Sequence, residues 1–89
     1  MKIDLNFEII DLSNQAIGNA GKLVANLLVQ QSEGDVMKHY EWAIKLNSGQ
    51  VIDLDTSDQE YLKTFIKDHK TLFIIAKAQI LEVIKKKDK

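Results

Sequence analysis

The stretch KIDLNFEIID near the N-terminus alternates apolar and polar residues. Ile3, Leu5, Phe7 and Ile9 are separated by Asp4, Asn6 and Glu8. A period of two sends successive side chains to opposite faces, the pattern of a strand with one buried face. A strand needs pairing partners for its backbone amides and carbonyls, so other segments of the chain must supply them. Two qualify. Ser13-Asn14-Gln15 is polar and turn-like, and Ala16-Ile17 can return as the second strand of a hairpin, although no Asn-Gly or Asp-Gly pair pins the turn. Val51 to Asp55 is a third short strand, with Ile52 and Leu54 on one face.

Between and after these segments the apolar period changes to that of a helix. Gly18-Asn19 introduces the first helix, with Asn19 as its N-cap. At about 100° per residue, Ala20, Leu23, Val24, Leu27 and Leu28 share one face, with Lys22, Asn26 and Gln30 opposite. Ser32-Glu33-Gly34-Asp35 breaks it, and Asp35 can cap a second helix over roughly 36–46. Asn47-Ser48-Gly49 ends that one, with Gly49 placed for a left-handed C-terminal cap. Ser57-Asp58-Gln59-Glu60 fits a capping box, predicting a third helix to about His69. A fourth starts near Thr71 and runs to about Lys86. The expected fold is α+β: a small antiparallel sheet, hairpin plus one strand, packed against about four helices.

Residues 1–89 read as a single domain, whose small core makes each large apolar residue count. A hydrophobic fraction of 45% and a charged fraction of 28% are ordinary for a globular chain. There is no cysteine, which excludes disulfides, thiolate metal sites and a cysteine nucleophile, and fits a reducing compartment. Net charge is −1, so the overall field does not favour nucleic acid. Only Lys85-Lys86-Lys87-Asp88-Lys89 is locally basic, a composition that solubilises a helix end and suits its dipole. Acidic and amide residues interrupt the first twelve positions, unlike a signal peptide. The most apolar stretch, LFIIAKAQIL at 72–81, contains Lys77 and Gln79 and is too short for a membrane span.

Two motifs resemble ligand loops without meeting their chemistry. GNAGK at 18–22 has a Gly-Lys pair, but Ala16 and Leu23 stand where a phosphate loop needs its first glycine and its magnesium-binding hydroxyl. DLDTSDQE at 53–60 spaces its acids like a calcium loop, but Asp58 and Thr64 replace the required glycine and bidentate glutamate. Its acids suit a helix start instead. His39 and His69 have Ala43 and Phe73 four residues on, not a second ligand, and read as partly buried or helix-end residues. Nothing resembles a nucleophile elbow. No catalytic residue, metal ligand or cofactor site is assigned, and the chain reads as a non-enzyme.

The helical faces carry more information. On a helix from 71 to 86, Leu72, Phe73, Ala76, Ile80, Val83 and Ile84 form one arc of about 120°, expected to be core. Ile74 and Leu81 stack at i and i+7 on another side, making a second apolar surface. In the second helix Val36, Tyr40, Ala43 and Ile44 are expected to face the core. Trp42 and Leu46 then lie toward another side, next to His39, and Lys38, Glu41 and Lys45 leave only a narrow polar strip. A helix this apolar either makes two internal contacts or offers one face to a partner. On the second reading Trp42, Leu46, Ile74 and Leu81 are the contact candidates, with Glu33 and Asp35 as acidic contacts.

The segments NAGKLVANLLVQ, HYEWAIKLNSGQVIDLD, DQEYLKTFIKDH and LFIIAKAQILEVI together resemble a group of small prophage-encoded proteins over most of the chain. The resemblance lies in texture, not in a chemical motif. It implies a bacterial or phage protein, cytoplasmic in the host cell. Two functions fit that context. One is an inhibitor of a host defence nuclease, such as an anti-CRISPR protein. The other is a tail-assembly chaperone or a homo-oligomeric assembly factor, with a homodimer as its simplest form. A transcriptional modulator is weaker, because the second helix has no basic face to enter a major groove.

Overall fold

The computed structural model describes residues 2–86, with side chains through Ile84. The terminal lysines therefore lie outside the described side chains. The elements run β1 (Lys2–Ile3), β2 (Glu8–Ile10), β3 (Ala16–Asn19), α1 (Ala20–Val29), α2 (Val36–Asn47), β4 (Ile52–Asp53), α3 (Thr56–Asp68) and α4 (Ile74–Lys86). This is the expected α+β class, with one difference in the strands. Among the described residues the strands form two separate two-stranded antiparallel sheets, β1–β4 and β2–β3. Residue 3 pairs with residue 52, and the hairpin pairs Ile9 with Gly18. The register shifts beside Ile10, whose partner is Ala16, so Ile17 is the extra residue of a bulge.

The N-terminal alternation survives as burial even though the strand does not continue. Ile3, Leu5 and Ile9 are buried while Asp4, Asn6 and Glu8 are exposed. Between Asp4 and Phe7 the backbone turns. Asp4 Oδ1 accepts the Asn6 amide at 2.9 Å, and the Phe7 amide donates to Leu5 O at 2.8 Å. The turn presents the carbonyls of Leu5 and Phe7 to the first amides of α1, and Leu5 O accepts a second bond there. Ala20 N donates to Phe7 O and Gly21 N to Leu5 O, both at 2.8 Å. Asn19 Oδ1 accepts the Lys22 amide at 3.0 Å, as expected of an N-cap. Three of the orphan amides at this helix start are thus satisfied by the chain itself. A phosphate has no free amides to bind there. Gly21 serves packing instead: a Cβ would lie 3.0 Å from Leu46 O and 3.2 Å from Leu5 O.

Asp11 does the work expected of an Asn-Gly pair in the hairpin turn. Its Oδ1 accepts the amides of Ser13 and Gln15, and Asn14 takes the left-handed conformation at φ 63°. Asp35 caps α2, and Gly49 follows it at φ +77°. The capping box on Ser57 is not used. Asp55 is the N-cap of α3, its carboxylate accepting the Asp58 amide at 2.7 Å, and Glu60 pairs with Lys63. Three acids and two hydroxyls crowd this start, and an ionised carboxylate accepts more strongly than a hydroxyl. The start of α4 also differs, at Ile74 instead of Thr71. Thr71 is engaged with the ring of His69, its amide donating to Nδ1 and its hydroxyl 3.2 Å from the same atom.

The core lies where the four helices close over the strands. Ile3, Leu5, Ile9, Val24, Leu28, Ile52, Leu54, Leu62, Ile66, Ile80 and Ile84 are fully buried. Gln79 locks α4 to the hairpin. Its Oε1 accepts the Ile10 amide at 3.0 Å, and its Nε2 donates to Ile10 O at 2.7 Å. The side-chain amide thus occupies part of the open edge of β2 as a strand would. Gln79→Met is expected to lower stability by about 1–2 kcal/mol. Hydrogen exchange at the Ile10 amide should accelerate in the native protein, and unchanged protection would contradict this pairing.

Candidate interaction surface

Helix α2 is apolar over more than half its circumference, so its orientation decides what the protein shows to solvent. A line of rings sets it. His39, Trp42 and Leu46 point inward toward α3 and the core. Trp42 meets Tyr61 edge-on at 6.1 Å, and His39 meets Tyr61 at 5.7 Å and Phe65 at 5.5 Å. Phe65 continues the contact to His69 at 5.7 Å. An edge-to-face pair such as Trp42–Tyr61 adds about 0.5–1.5 kcal/mol beyond its burial.

His39 ties three helices together. Its Nδ1 lies 2.9 Å from Leu28 O and its Nε2 lies 2.7 Å from the Tyr61 hydroxyl. A carbonyl only accepts, so Nδ1 carries the proton and donates, and in the neutral ring Nε2 accepts from Tyr61. Lys38 closes the solvent side of the same seam. Its ammonium lies 2.6 Å from Asp58 Oδ1 and sits over the rings of Trp42 and Tyr61 at 5.7 and 5.5 Å. The hydrogen bond to Asp58 raises the Lys38 pKa above its ordinary value.

With that seam inward, the opposite apolar arc of α2 faces out. Trp42 is 8% exposed and Leu46 1%, whereas Val36 is 75%, Tyr40 55% and Ile44 50% exposed. This reverses the faces expected from periodicity, apart from Ala43, which is buried as expected. Trp42 and Leu46 are core residues and are not available to a partner. Val36, Tyr40 and Ile44 recur every four residues along one side of α2, with Met37 and, from α1, Val29 beside them. Tyr40, Ala43, Ile44 and Asn47 form a groove with Ala25, Asn26 and Val29.

Glu33 lies at the N-terminal end of this stripe, lining a depression with Val36 and Tyr40. Asp35 is at the same end, its carboxylate accepting the Lys38 amide at 3.1 Å as the helix cap. The depression holds about 160 Å³ and the groove about 210 Å³. Both fall below the ~300–1,000 Å³ usual for small-molecule sites. Larger hollows of about 530 and 430 Å³ along α3 and its C-terminal end are broad and open to solvent. Among the described residues no three His, Asp or Glu side chains gather as a metal site, and no helix is long and apolar enough to cross a membrane.

The α4 candidates divide. Ile74 is 84% exposed, while Leu81 is half-buried against the core, so the two do not form a common surface. Phe73 precedes the helix and is exposed, so the helical arc that placed it in the core does not apply. Within the helix the arc holds for Ala76, Ile80 and Ile84, with Val83 partly buried against the core, and Leu72 is buried although it also precedes the helix. The surface residues missed by sequence reasoning are Val29, Val36, Met37, Tyr40 and Ile44. The four-residue spacing of Val36, Tyr40 and Ile44 is visible in the sequence, but periodicity alone places it toward the interior. Comparison with known proteins finds no match to this chain among family models, curated proteins or solved structures.

Proposed function

We propose that this chain is a non-enzymatic protein-interaction module that binds a protein partner through the α1–α2 face. The supporting observation is the exposed stripe Val36–Tyr40–Ile44 with Val29 and Met37 alongside. Monomeric proteins rarely leave contiguous apolar patches larger than a few hundred Å² uncovered. A central aromatic ring ringed by aliphatic side chains is also the composition of an interface hot spot. In the phage context implied by the sequence, the partner is a host defence nuclease met in the bacterial cytoplasm. Glu33 at the edge of the stripe is the acidic contact for a basic nuclease channel, and Ile74 is a separate contact on α4. A homo-oligomeric assembly factor is the second reading.

The test is a tagged pull-down from bacterial host lysate, with and without RNase, comparing the native chain with Tyr40→Ser/Ile44→Ser. Both substitutions lie on the exposed side, so the melting temperature should move by only a few degrees. Recovery of an RNA-guided nuclease by the native chain, lost in the double variant, is the expected result for the inhibitor. Recovery of tail or capsid proteins would assign the chain to assembly. Equal capture by both forms would remove the α1–α2 face from the account.

A further inference from the structure

We infer that the depression at the N-terminal end of α2 is a seat for one arginine side chain of the partner, with Glu33 as its counter-charge. This rests on the reading of the α1–α2 face as a protein-binding surface. The depression, of about 160 Å³, lies between the loop that follows α1 and the start of α2. Its apolar part comes from Leu28, Val29, Val36 and Tyr40. A cavity of roughly 150 Å³ holds one benzene-sized group, so there is room for a single side chain and little more. The floor is preformed. Gly34 packs closely on the ring of His39, where a Cβ would come within 3.0 Å of Nε2. Both ring nitrogens are already bonded, to Leu28 O and to the Tyr61 hydroxyl. The imidazole therefore supplies a wall and no hydrogen bond to a guest.

The polar groups left over at this end are acceptors. Asp35 is held as the α2 cap and Asp58 by the Lys38 ammonium, while Glu33 has no ion pair or hydrogen bond among the described residues. At the end of α1 the carbonyls of Asn26, Leu27 and Leu28 accept from the Gln30 amide, Gln31 Nε2 and His39 Nδ1. The carbonyl of Val29, which lines the depression, accepts no such bond among the described residues. No lysine lines the depression, and Asp58 holds Lys38 on the α3 side of α2. A carboxylate, a carbonyl and a tyrosine ring around an apolar slot suit a group that is cationic, planar and rich in donors. Arginine brings an apolar stem for Val29 and Val36, five N–H donors for Glu33 and the Val29 carbonyl, and a flat face for Tyr40. A lysine offers the charge without the plane and holds its water more strongly. A leucine would fill the slot and use neither acceptor. This chain contains no arginine, since all twelve of its basic residues are lysines, so the occupant belongs to a different protein.

The probe is N-acetyl-arginine amide, compared with its lysine and leucine counterparts, titrated into the native chain and followed by backbone amide chemical shifts. The arginine compound should bind with a dissociation constant on the order of millimolar, as expected of one side chain, and shift the amides of Glu33, Gly34 and Val36 most. Glu33→Gln lies on the exposed loop and should leave the melting temperature unchanged. It should weaken binding about threefold, the effect of losing one solvent-exposed ion pair. Tyr40→Leu keeps the apolar wall, removes the ring, and should weaken binding as well. Lysine or leucine binding as tightly as arginine would overturn the assignment, as would an affinity unchanged in Glu33→Gln or shifts scattered away from the depression. Failure of the seat is separable from failure of the face. If the native chain captures a partner that is lost in Tyr40→Ser/Ile44→Ser and retained in full by Glu33→Gln, the face stands and the arginine seat falls. If capture is equal in all three variants and the native chain, the face falls and the seat with it.

Discussion

Leu46→Ala is expected to destabilise this protein by about 2–5 kcal/mol, while Ile44→Ala two residues away should change stability by no more than about 1 kcal/mol. Both residues are large aliphatics near the end of one helix, and only their direction differs. Leu46 is fully buried, and its carbonyl lies against the close approach of Gly21. Truncating it leaves a cavity in the core that a small domain cannot readily close. For a chain of this size each kcal/mol shifts the melting temperature by about 4–8 °C, so Leu46→Ala should melt on the order of 10–40 °C lower. Thermal melts followed by circular dichroism separate the two variants. Similar losses for both would mean that α2 is not oriented as described.

His39→Ala is the second large effect, expected to cost about 2–4 kcal/mol. The substitution removes a buried ring from the aromatic line and leaves two polar groups without their partner. The Leu28 carbonyl loses the Nδ1–H donor and the Tyr61 hydroxyl loses its acceptor, at a helix junction sealed by Lys38 and Asp58. Tyr61→Phe is the informative companion. It removes the hydroxyl and keeps the ring contacts with Trp42 and His39, so its cost should be about 1–2 kcal/mol, smaller than that of His39→Ala. Denaturant titrations of the two variants check the order. A His39→Ala variant no less stable than Tyr61→Phe would show that the Leu28 bond and the ring packing contribute little.

Much of the architecture could be read from local signals. Asn19 and Asp35 cap the helices assigned to them, Gly49 takes the left-handed conformation, and Ile3, Leu5 and Ile9 are buried in alternation. These features depend on neighbours in sequence. The departures arise where a choice among local options is made by distant residues. The N-terminal strand bends at Asp4–Phe7 because α1 needs the carbonyls of Leu5 and Phe7. The strand at Ile52–Asp53, β4, pairs with β1 instead of extending the hairpin. Asp55 wins the cap from Ser57, and His69 takes Thr71 away from α4.

The candidate surface was legible in composition and illegible in direction. Periodicity gives angles between residues on a helix, not the absolute sense of the helix against its neighbours. Where apolar residues cover over half the circumference, two core faces satisfy the pattern equally. In α2 the choice is made by Tyr61 and Phe65 of α3, which offer edges to His39 and Trp42 and leave Val36, Tyr40 and Ile44 outside.

The orientation of α2 underlies both the stability differences and the proposed interface. Trp42 is the only tryptophan in the chain, so intrinsic fluorescence reports that orientation without labelling. With Trp42 packed against Tyr61 and only 8% exposed, native emission should be blue-shifted and weakly quenched by acrylamide. Both should become solvent-like together as urea unfolds the protein. Native emission and quenching already like those of a free indole, unchanged by urea, would place Trp42 on the outside and reverse the inner and outer faces of α2.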